Sequence, residues 1–167
     1  MNALAGIKEQ RPGNPLDLLE ELVSASNWTF DRPSDAELAI QIAGKWTDYH
    51  IWSVWHEDLR AMYFACHFDC RVPEAKRAWI QDLIAMFNAT LWLGHFDLSH
   101  EDGAVIYRHT VPLRGTQGVS VEQLEDLMDT AIVECERFYP AMQLVVWGGQ
   151  RASQAMAVAT LEPLGTA

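Results

Sequence analysis

The sequence predicts an α+β fold, ordered α-β-β-β-α-β-β-α, in which helices pack on an antiparallel five-stranded sheet. Segments of alternating apolar and polar residues predict the strands. Segments with apolar residues three and four positions apart predict the helices. Short connections between successive strands are typical of hairpins, which make neighbouring strands antiparallel. The chain has 167 residues, enough for one domain with a core of its own.

The composition excludes several classes of protein. Hydrophobic residues make up 49% of the chain, too high a fraction for intrinsic disorder, and no apolar run is long enough to span a bilayer. The net charge of −11 argues against binding to nucleic acid or to anionic membranes, because both need clustered Lys and Arg. The first residues lack a signal-peptide core and the cysteines are odd in number, so we expect a cytoplasmic protein.

The first helix is predicted from residue 15 to about residue 26. Asn14 is a good N-cap, and Pro15 suits the first helical position because it needs no amide partner there. An apolar stripe of leucines and a valine follows, which predicts one buried helix face.

A meander of three strands is predicted next. Its strands are residues 38–43, 46–56 and 59–70, joined by two-residue turns at 44–45 and 57–58. In this register Ile40 faces Tyr49 and Tyr49 faces Cys66. Because opposed residues share a face of the sheet, one side collects a coherent apolar set. That set is Leu38, Ile40, Ile42, Tyr49, Ile51, Met62, Phe64, Cys66 and Phe68.

The second helix is predicted to begin at Pro73 and to end near Asn88, which would cap it in the left-handed conformation. Its apolar stripe is wide. The stripe comprises Trp79, Ile80, Leu83, Ile84, Met86 and Phe87. A stripe of this width suggests contacts beyond the helix's own sheet. Trp79, Leu83 and Met86 are the residues that we expect at a dimer contact.

A second hairpin is predicted from residues 91–99 and 104–113, turned by Asp-Gly at 102–103. Asp-Gly favours a hairpin because both residues tolerate positive φ. Asp97 would then oppose Arg108 as a cross-strand charge pair.

The third helix is predicted to begin after Ser120, with an acidic face opposite an apolar one, and Pro140 should end or kink it. The elements thus form one domain over residues 15–149. We expect residues 1–14 to be disordered or extended and residues 150–167 to be a weakly structured tail.

The second face of the meander carries the candidate binding residues. It collects Trp46, His50, Trp52, Tyr63 and His67. The predicted register places Trp52 opposite Tyr63 and Asp48 opposite His67. Two interpretations stay open: the rings are a cross-strand pair covered by the same chain, or they form an exposed platform for a peptide or a second subunit.

The sequence contains no recognisable catalytic or metal-binding motif: it has no nucleophile elbow, phosphate-binding glycine loop or metalloprotease helix. Cys66 and Cys70 lie in one predicted strand, about 13 Å apart, which is too far for a shared zinc ion or a disulfide. We therefore predict no catalytic residue, cofactor or metal ion.

A family resemblance rests on a short motif and on the order of elements around it. Asn88, Leu91, Gly94 and Phe96 form N-x-x-L-x-x-G-x-F, followed by a hairpin with Tyr107 and Arg108 and by the acidic helix from Ser120 to Pro140. In these features the chain resembles the YbjN-domain family of bacterial proteins. The resemblance implies a fold like that of type III secretion chaperones, which are acidic cytoplasmic homodimers that hold extended segments of client proteins. It also implies a sensory or regulatory role and supplies no catalytic residues.

These observations together predict a non-enzymatic protein-binding module, either chaperone-like or a sensory or regulatory adaptor. Its expected partners are a protein or peptide client and a second copy of the chain, with no nucleic acid and no membrane. The alternative is a small enzyme or a ligand- or metal-binding domain that uses His and Asp residues of the second face.

Overall fold

The structure, a computed structural model, describes residues 13–161, with the side chain of residue 161 excepted. Its helices are α1 (Pro15–Ala25), α2 (Arg77–Asn88), α3 (Val121–Val146) and α4 (Ala152–Leu161), and a 3-10 turn at Glu74–Lys76 precedes α2. Its strands are β1 (Thr29–Ser34), β2 (Glu37–Ala43), β3 (Asp48–His56), β4 (Ala61–Arg71), β5 (His95–Leu98) and β6 (Ala104–Pro112).

The described strands form one antiparallel sheet in the order β1-β2-β3-β4-β6-β5. The predicted α+β class is confirmed, with six strands instead of five. The additional strand is β1, where Phe30 pairs with Ile40 of β2. Pro33 lies inside β1, which is tolerated because an edge strand has one side without a strand partner.

The predicted core face of the meander is confirmed. All nine of its residues are buried, and they pack in one cluster with the buried residues of the four helices. Both predicted registers of the meander, however, are wrong by two residues, and so is that of the second hairpin, where Arg108 opposes His95 instead of Asp97. Tyr49 pairs with Ile42 instead of Ile40, and Ile51 pairs with Cys66. Because side chains alternate with a period of two, this error leaves each residue on its predicted face.

The register differs because both connections have four residues instead of two. In the first, residues 44–47, the Gly44 amide donates to the Thr47 carbonyl at 3.0 Å, and a Cβ at Gly44 would overlap the Tyr49 ring. In the second, residues 57–60, the Arg60 amide donates to the Glu57 carbonyl at 3.1 Å and Arg60 has a φ of 51°. Two-residue hairpin turns favour Gly, Asn or Asp at their positive-φ positions. Glu57-Asp58 does not match this preference, whereas Gly44-Lys45 matches a type II′ turn that the structure does not form.

α1 begins as predicted, with the Asn14 side chain accepting a hydrogen bond from the Leu16 amide at 3.0 Å. The expected role of Asn88 is corrected. Asn88 is the last residue of α2, and its side chain accepts from the Phe96 amide at 2.8 Å and donates to the Phe96 carbonyl at 3.0 Å. These bonds supply partners for backbone groups of β5, the edge strand of the sheet.

α3 begins with a capping box between Ser120 and Gln123 and continues through Pro140 to Val146. Of the two expected alternatives, an end or a kink at Pro140, the structure excludes the end. Ala141 and Met142, directly after it, are fully buried, so packing on the core offsets the hydrogen bond that proline cannot donate.

The chain beyond residue 150 also differs from its expectation as a weakly structured tail. Ala152–Leu161 forms α4, which buries Ala155, Met156 and Ala159 and packs against α2 and α3. Residues 1–12 and 162–167, which complete the two predicted terminal segments, lie outside the described residues. Across residues 13–161, no helix combines the length and the apolar character needed to cross a bilayer.

Candidate functional site

The sheet has a second face, here called the open face, made of strand residues that alternate with the core-face residues. The open face includes Thr29, Asp31, Glu37, Ala39, Gln41, His50, Trp52, Val54, Tyr63, Ala65, His67, His95, Asp97, Ile106, Arg108 and Thr110. The described helices bury their apolar residues in the cluster on the opposite side. The open face therefore has no helix packed over it within residues 13–161, and it exposes a mixture of aromatic, aliphatic and imidazole side chains.

A groove of about 450 Å³ crosses the open face from β1 to β4. Two rows of opposed residues form its surface. In one row Ala39 lies between Asp31 and Trp52, and in the next row Gln41, His50 and His67 follow one another. Ala39 contributes only a methyl group between the Asp31 and Trp52 side chains of its row.

The structure brings together some of the predicted binding residues in a different arrangement. His50 and His67 lie directly opposite each other, whereas Asp48 pairs with Ala43. Trp52 pairs with Ala65 and Tyr63 with Val54, so the two rings are diagonal neighbours instead of a direct pair. Both corrections follow from the two-residue change in register.

Trp46 does not belong to the strand in which it was predicted. It lies in the loop between β2 and β3, is 40% exposed, and has the Lys45 ammonium 4.6 Å from its ring centre. The loop is fixed from the helical side, because the Lys45 amide donates to the Glu136 carboxylate of α3 at 2.6 Å. Trp46 is thus a loop residue, and the aromatic residues of the open face are Trp52 and Tyr63.

The electrostatics of the open face are mild. Partial burial, reinforced by the Arg71 guanidinium and by His50, lowers the pKa of His67, so its imidazole is neutral at pH 7. Arg108 is held in an ion pair with Asp97. Among residues 13–161, no group of three or more His, Cys, Asp or Glu side chains is arranged to hold a metal ion. The neutral His67 imidazole can instead both donate and accept hydrogen bonds to a peptide.

The three residues predicted as a dimer contact have different surroundings. Leu83 is fully buried in the core and cannot touch a partner in this conformation. Trp79 is half-buried, with the Lys76 ammonium 4.0 Å from its ring centre, and Met86 is 37% exposed. Trp79 and Met86 border a cleft whose other side is the start of α4, so α4 covers part of the wide stripe that suggested the contact.

Two features of the structure were not predicted from the sequence: the strand β1 and a contact between two cysteines. Thr29, Asp31 and Ala39 line the groove, but β1 had not been predicted. The alternation around Phe30 was the available signal, and Pro33 obscured it. The second feature is a contact between Cys66 and Cys135, whose sulfur atoms are 3.7 Å apart; no spacing in the sequence indicates a contact between a strand and a distant helix.

The motif that carried the family resemblance acts on β5. Asn88 binds the backbone of Phe96, and Gly94, at a φ of 66°, leaves room for the Tyr107 hydroxyl, which donates to the Leu93 carbonyl at 2.8 Å. The motif residues therefore hold the edge strand β5 in place, and none of them lines the groove.

Comparison with known proteins identifies the family. The sequence model of the YbjN family, described as "Putative bacterial sensory transduction regulator", matches residues 15–144. The chain belongs to the YbjN family. The family description names a regulator and no reaction. The fold is also that of YbjN from E. coli, described with its crystal structure as "a putative transcription regulator": the TM-score is 0.51 at 11% sequence identity, over 72% of this chain and 85% of that one. A search of curated proteins gave no match.

Proposed function

We propose that this YbjN-family protein is a non-enzymatic regulatory adaptor that binds a segment of a partner protein across the open face. The observation that carries the proposal is a sheet face with partly exposed aromatic residues and a groove, over which no helix packs within residues 13–161. Trp52, Val54, Tyr63 and Ile106 supply apolar contact area there, and all four are only partly buried. Aromatic side chains that are partly exposed in this way are typical anchors of protein interfaces.

The dimensions of the face suit an extended segment. Six strands spaced about 4.8 Å apart give a width of about 24 Å, which about seven residues of extended chain would cross. A segment that crosses the strands can place alternate side chains into the groove and onto the Trp52 and Tyr63 rings. Such binding is chaperone-like in its geometry, and a regulator can use the same contact to recognise its target.

Charge favours a protein partner over nucleic acid. The net charge is −11, Arg108 of the open face is already paired with Asp97, and Arg71 at the end of β4 is paired with Asp102. Phosphate recognition needs several unpaired cations on one surface, and the open face offers none of that kind within the described residues.

The proposal includes a homodimer and a cytoplasmic location. Trp79 and Met86 are the remaining candidates for the dimer contact, and the free thiols of Cys66, Cys70 and Cys135 suit a reducing compartment. Sedimentation velocity over a wide concentration range would show a dimer that Met86→Glu dissociates. A monomer at every concentration would remove the homodimer and leave the open-face proposal unaffected.

The test of the open face is site-specific photo-cross-linking in cells of the source organism. A photoreactive phenylalanine analogue replaces Tyr63 in one protein and Trp92, which is 71% exposed in the loop before β5, in a matched control. We expect a discrete covalent adduct from position 63 that Trp52→Ala abolishes, and none from position 92. Equal adducts at both positions, or none at position 63, would contradict the proposal.

A further inference from the structure

Within the groove, the row of residues that contains Trp52 is asymmetric in charge. In this row Asp31, Ala39, Trp52, Ala65 and Arg108 follow one another across five strands. The Arg108 end is neutralised, because its guanidinium pairs with the Asp97 carboxylate. At the Asp31 end, no hydrogen bond or ion pair to that carboxylate is found among the described residues, and its side chain is exposed.

The cation nearest to Asp31 in sequence cannot neutralise it from within the chain. Arg32 follows Asp31 on β1, so its side chain points to the opposite side of the sheet. There its guanidinium binds the Asp17 carboxylate at 2.7 Å and the Glu20 carboxylate at 2.6 Å, both on α1. The groove itself is lined by no Lys or Arg.

The space beside Asp31 has the dimensions of a cationic side chain. Asp31 and Trp52 lie on strands two apart, so their backbones are about 10 Å from each other. Between them Ala39 contributes only a methyl group. An arginine or lysine side chain can lay its apolar stem over Ala39. Its charged end would then be close to both the Asp31 carboxylate and the face of the Trp52 ring.

We propose that the partner segment presents an arginine side chain to the groove, held between the Asp31 carboxylate and the Trp52 indole. The inference rests on the proposed function, since it specifies the chemistry of the segment that crosses the open face. Arginine fits better than lysine because its planar guanidinium stacks on an indole while donating to a carboxylate. The segment would otherwise need only side chains that pack on Tyr63 and Val54.

The test uses a short labelled peptide of alternating threonine and valine with arginine at its centre. A second peptide carries citrulline there, which has nearly the same shape without the charge. Fluorescence anisotropy with the full chain measures both affinities. We expect the arginine peptide to bind roughly three- to thirtyfold more tightly, the sum of an exposed cation–π contact and an exposed ion pair.

Two variants locate the effect. Asp31→Asn should reduce the preference for arginine to the roughly two- to fivefold that the cation–π contact with Trp52 supplies, while leaving citrulline-peptide binding unchanged. Ala39→Leu should weaken both peptides by filling the gap. Asp126→Asn on the exposed face of α3 makes the same change in net charge away from the groove and should preserve the full preference. A preference that Asp31→Asn leaves undiminished, or that Asp126→Asn reduces as much, would overturn the inference.

The remaining outcomes separate the inference from the proposed function. If both peptides bind equally and Trp52→Ala weakens both, the arginine site is overturned while protein binding by the open face stands. If neither peptide binds, the arginine site is overturned, and the photo-cross-linking experiment decides the proposed function by itself.

Discussion

The two faces of the sheet are made by the same strands, yet they are subject to different physical constraints. On the core face, Phe64, Cys66 and Phe68 of β4 are buried under helices, so each substitution there changes packing and stability. On the open face of the same strand, Tyr63 and His67 are only partly buried. The need for a stable core thus explains the apolar residues of the core face. It does not explain why aromatic residues lie on the open face.

The core face is unified by a group of aromatic rings that joins the sheet to two helices. Phe138 of α3 stacks on Phe96 with ring centres 4.3 Å apart and meets Phe87 edge-on at 4.9 Å. Phe87 also contacts Phe96, and Phe96 contacts Tyr107. The Phe138 ring thus contacts both α2 and β5, so its removal should weaken the packing of both elements.

The largest expected effect tests this contrast between faces. Phe138→Ala should lower the free energy of unfolding by about 3–5 kcal/mol, since it removes a fully buried ring from a packed cluster. Trp52→Ala on the open face should lower it by a smaller amount, about 1–2 kcal/mol, because a partly exposed side chain loses less contact on truncation. Urea denaturation followed by circular dichroism measures both.

Equal destabilisation by the two substitutions would contradict this difference between the faces. If Trp52→Ala cost as much stability as Phe138→Ala, the open face would be a second core and its aromatic residues would need no partner. An unchanged dependence of the unfolding free energy on urea concentration serves as the control that both variants still unfold in one transition.

The same contrast explains which parts of the structure the sequence could predict. Which face of the sheet a residue lies on depends only on whether its position along the strand is odd or even. A register error of two residues does not change this. The core face was therefore predicted correctly although both turns were not. Neighbours on the open face depend on the register itself, so Trp52 was paired with Tyr63 instead of Ala65.

Two elements lacked a pattern that would predict them. β1 is interrupted by Pro33, which argues against a strand unless the strand is known to lie at an edge. α4 consists largely of alanine and other small residues around its whole circumference, so no stripe marks its buried side. The packing of Ala155 and Ala159 against α2 and α3 decides that α4 forms, and sequence periodicity does not record such contacts.

The second prediction concerns the edge of the sheet, where the two faces meet. Asn88→Ala should destabilise the protein by about 1–3 kcal/mol, because it leaves the amide and carbonyl of Phe96 without their side-chain partners. Hydrogen exchange should show a local loss of protection at the Phe96 amide. Gln81→Ala, at an exposed position of the same helix, is the matched control. Comparable loss of stability in both variants would indicate a general effect on α2 instead of an edge effect.

The third prediction uses the titration of His67 to sharpen the contrast. Burial first, and then Arg71 and His50, lower the pKa of His67 in the folded protein. Below about pH 6.5 the unfolded chain therefore binds a proton that the folded chain does not, and stability falls as the pH falls from 6.5 towards the folded pKa. His67→Gln should remove this part of the pH dependence.

The measurements are urea denaturation at several pH values between about 7 and 5 and a proton NMR titration of the histidines, whose unperturbed midpoint is about 6.5. We expect the His67 midpoint below that value. A midpoint at or above that value, or an identical pH dependence in wild type and His67→Gln, would contradict the prediction. His67 would then be less buried on the open face than the structure shows.

The smallest expected effect compares one ion pair from each side of the sheet. Arg108 and Asp97, on the open face, are 41% and 46% exposed, whereas Arg32, which ties β1 to α1 on the core side, is 19% exposed and binds both Asp17 and Glu20. Double-mutant cycles should give a coupling of about 0.2–1 kcal/mol for Arg108 with Asp97 and a larger one for Arg32 with Glu20, because solvent screens the exposed pair more. A larger coupling on the open face would mean that Arg108 helps to hold the sheet together. Its pairing with Asp97 would then be structural, and the contrast with the unpaired Asp31 at the other end of the row would lose its significance for binding.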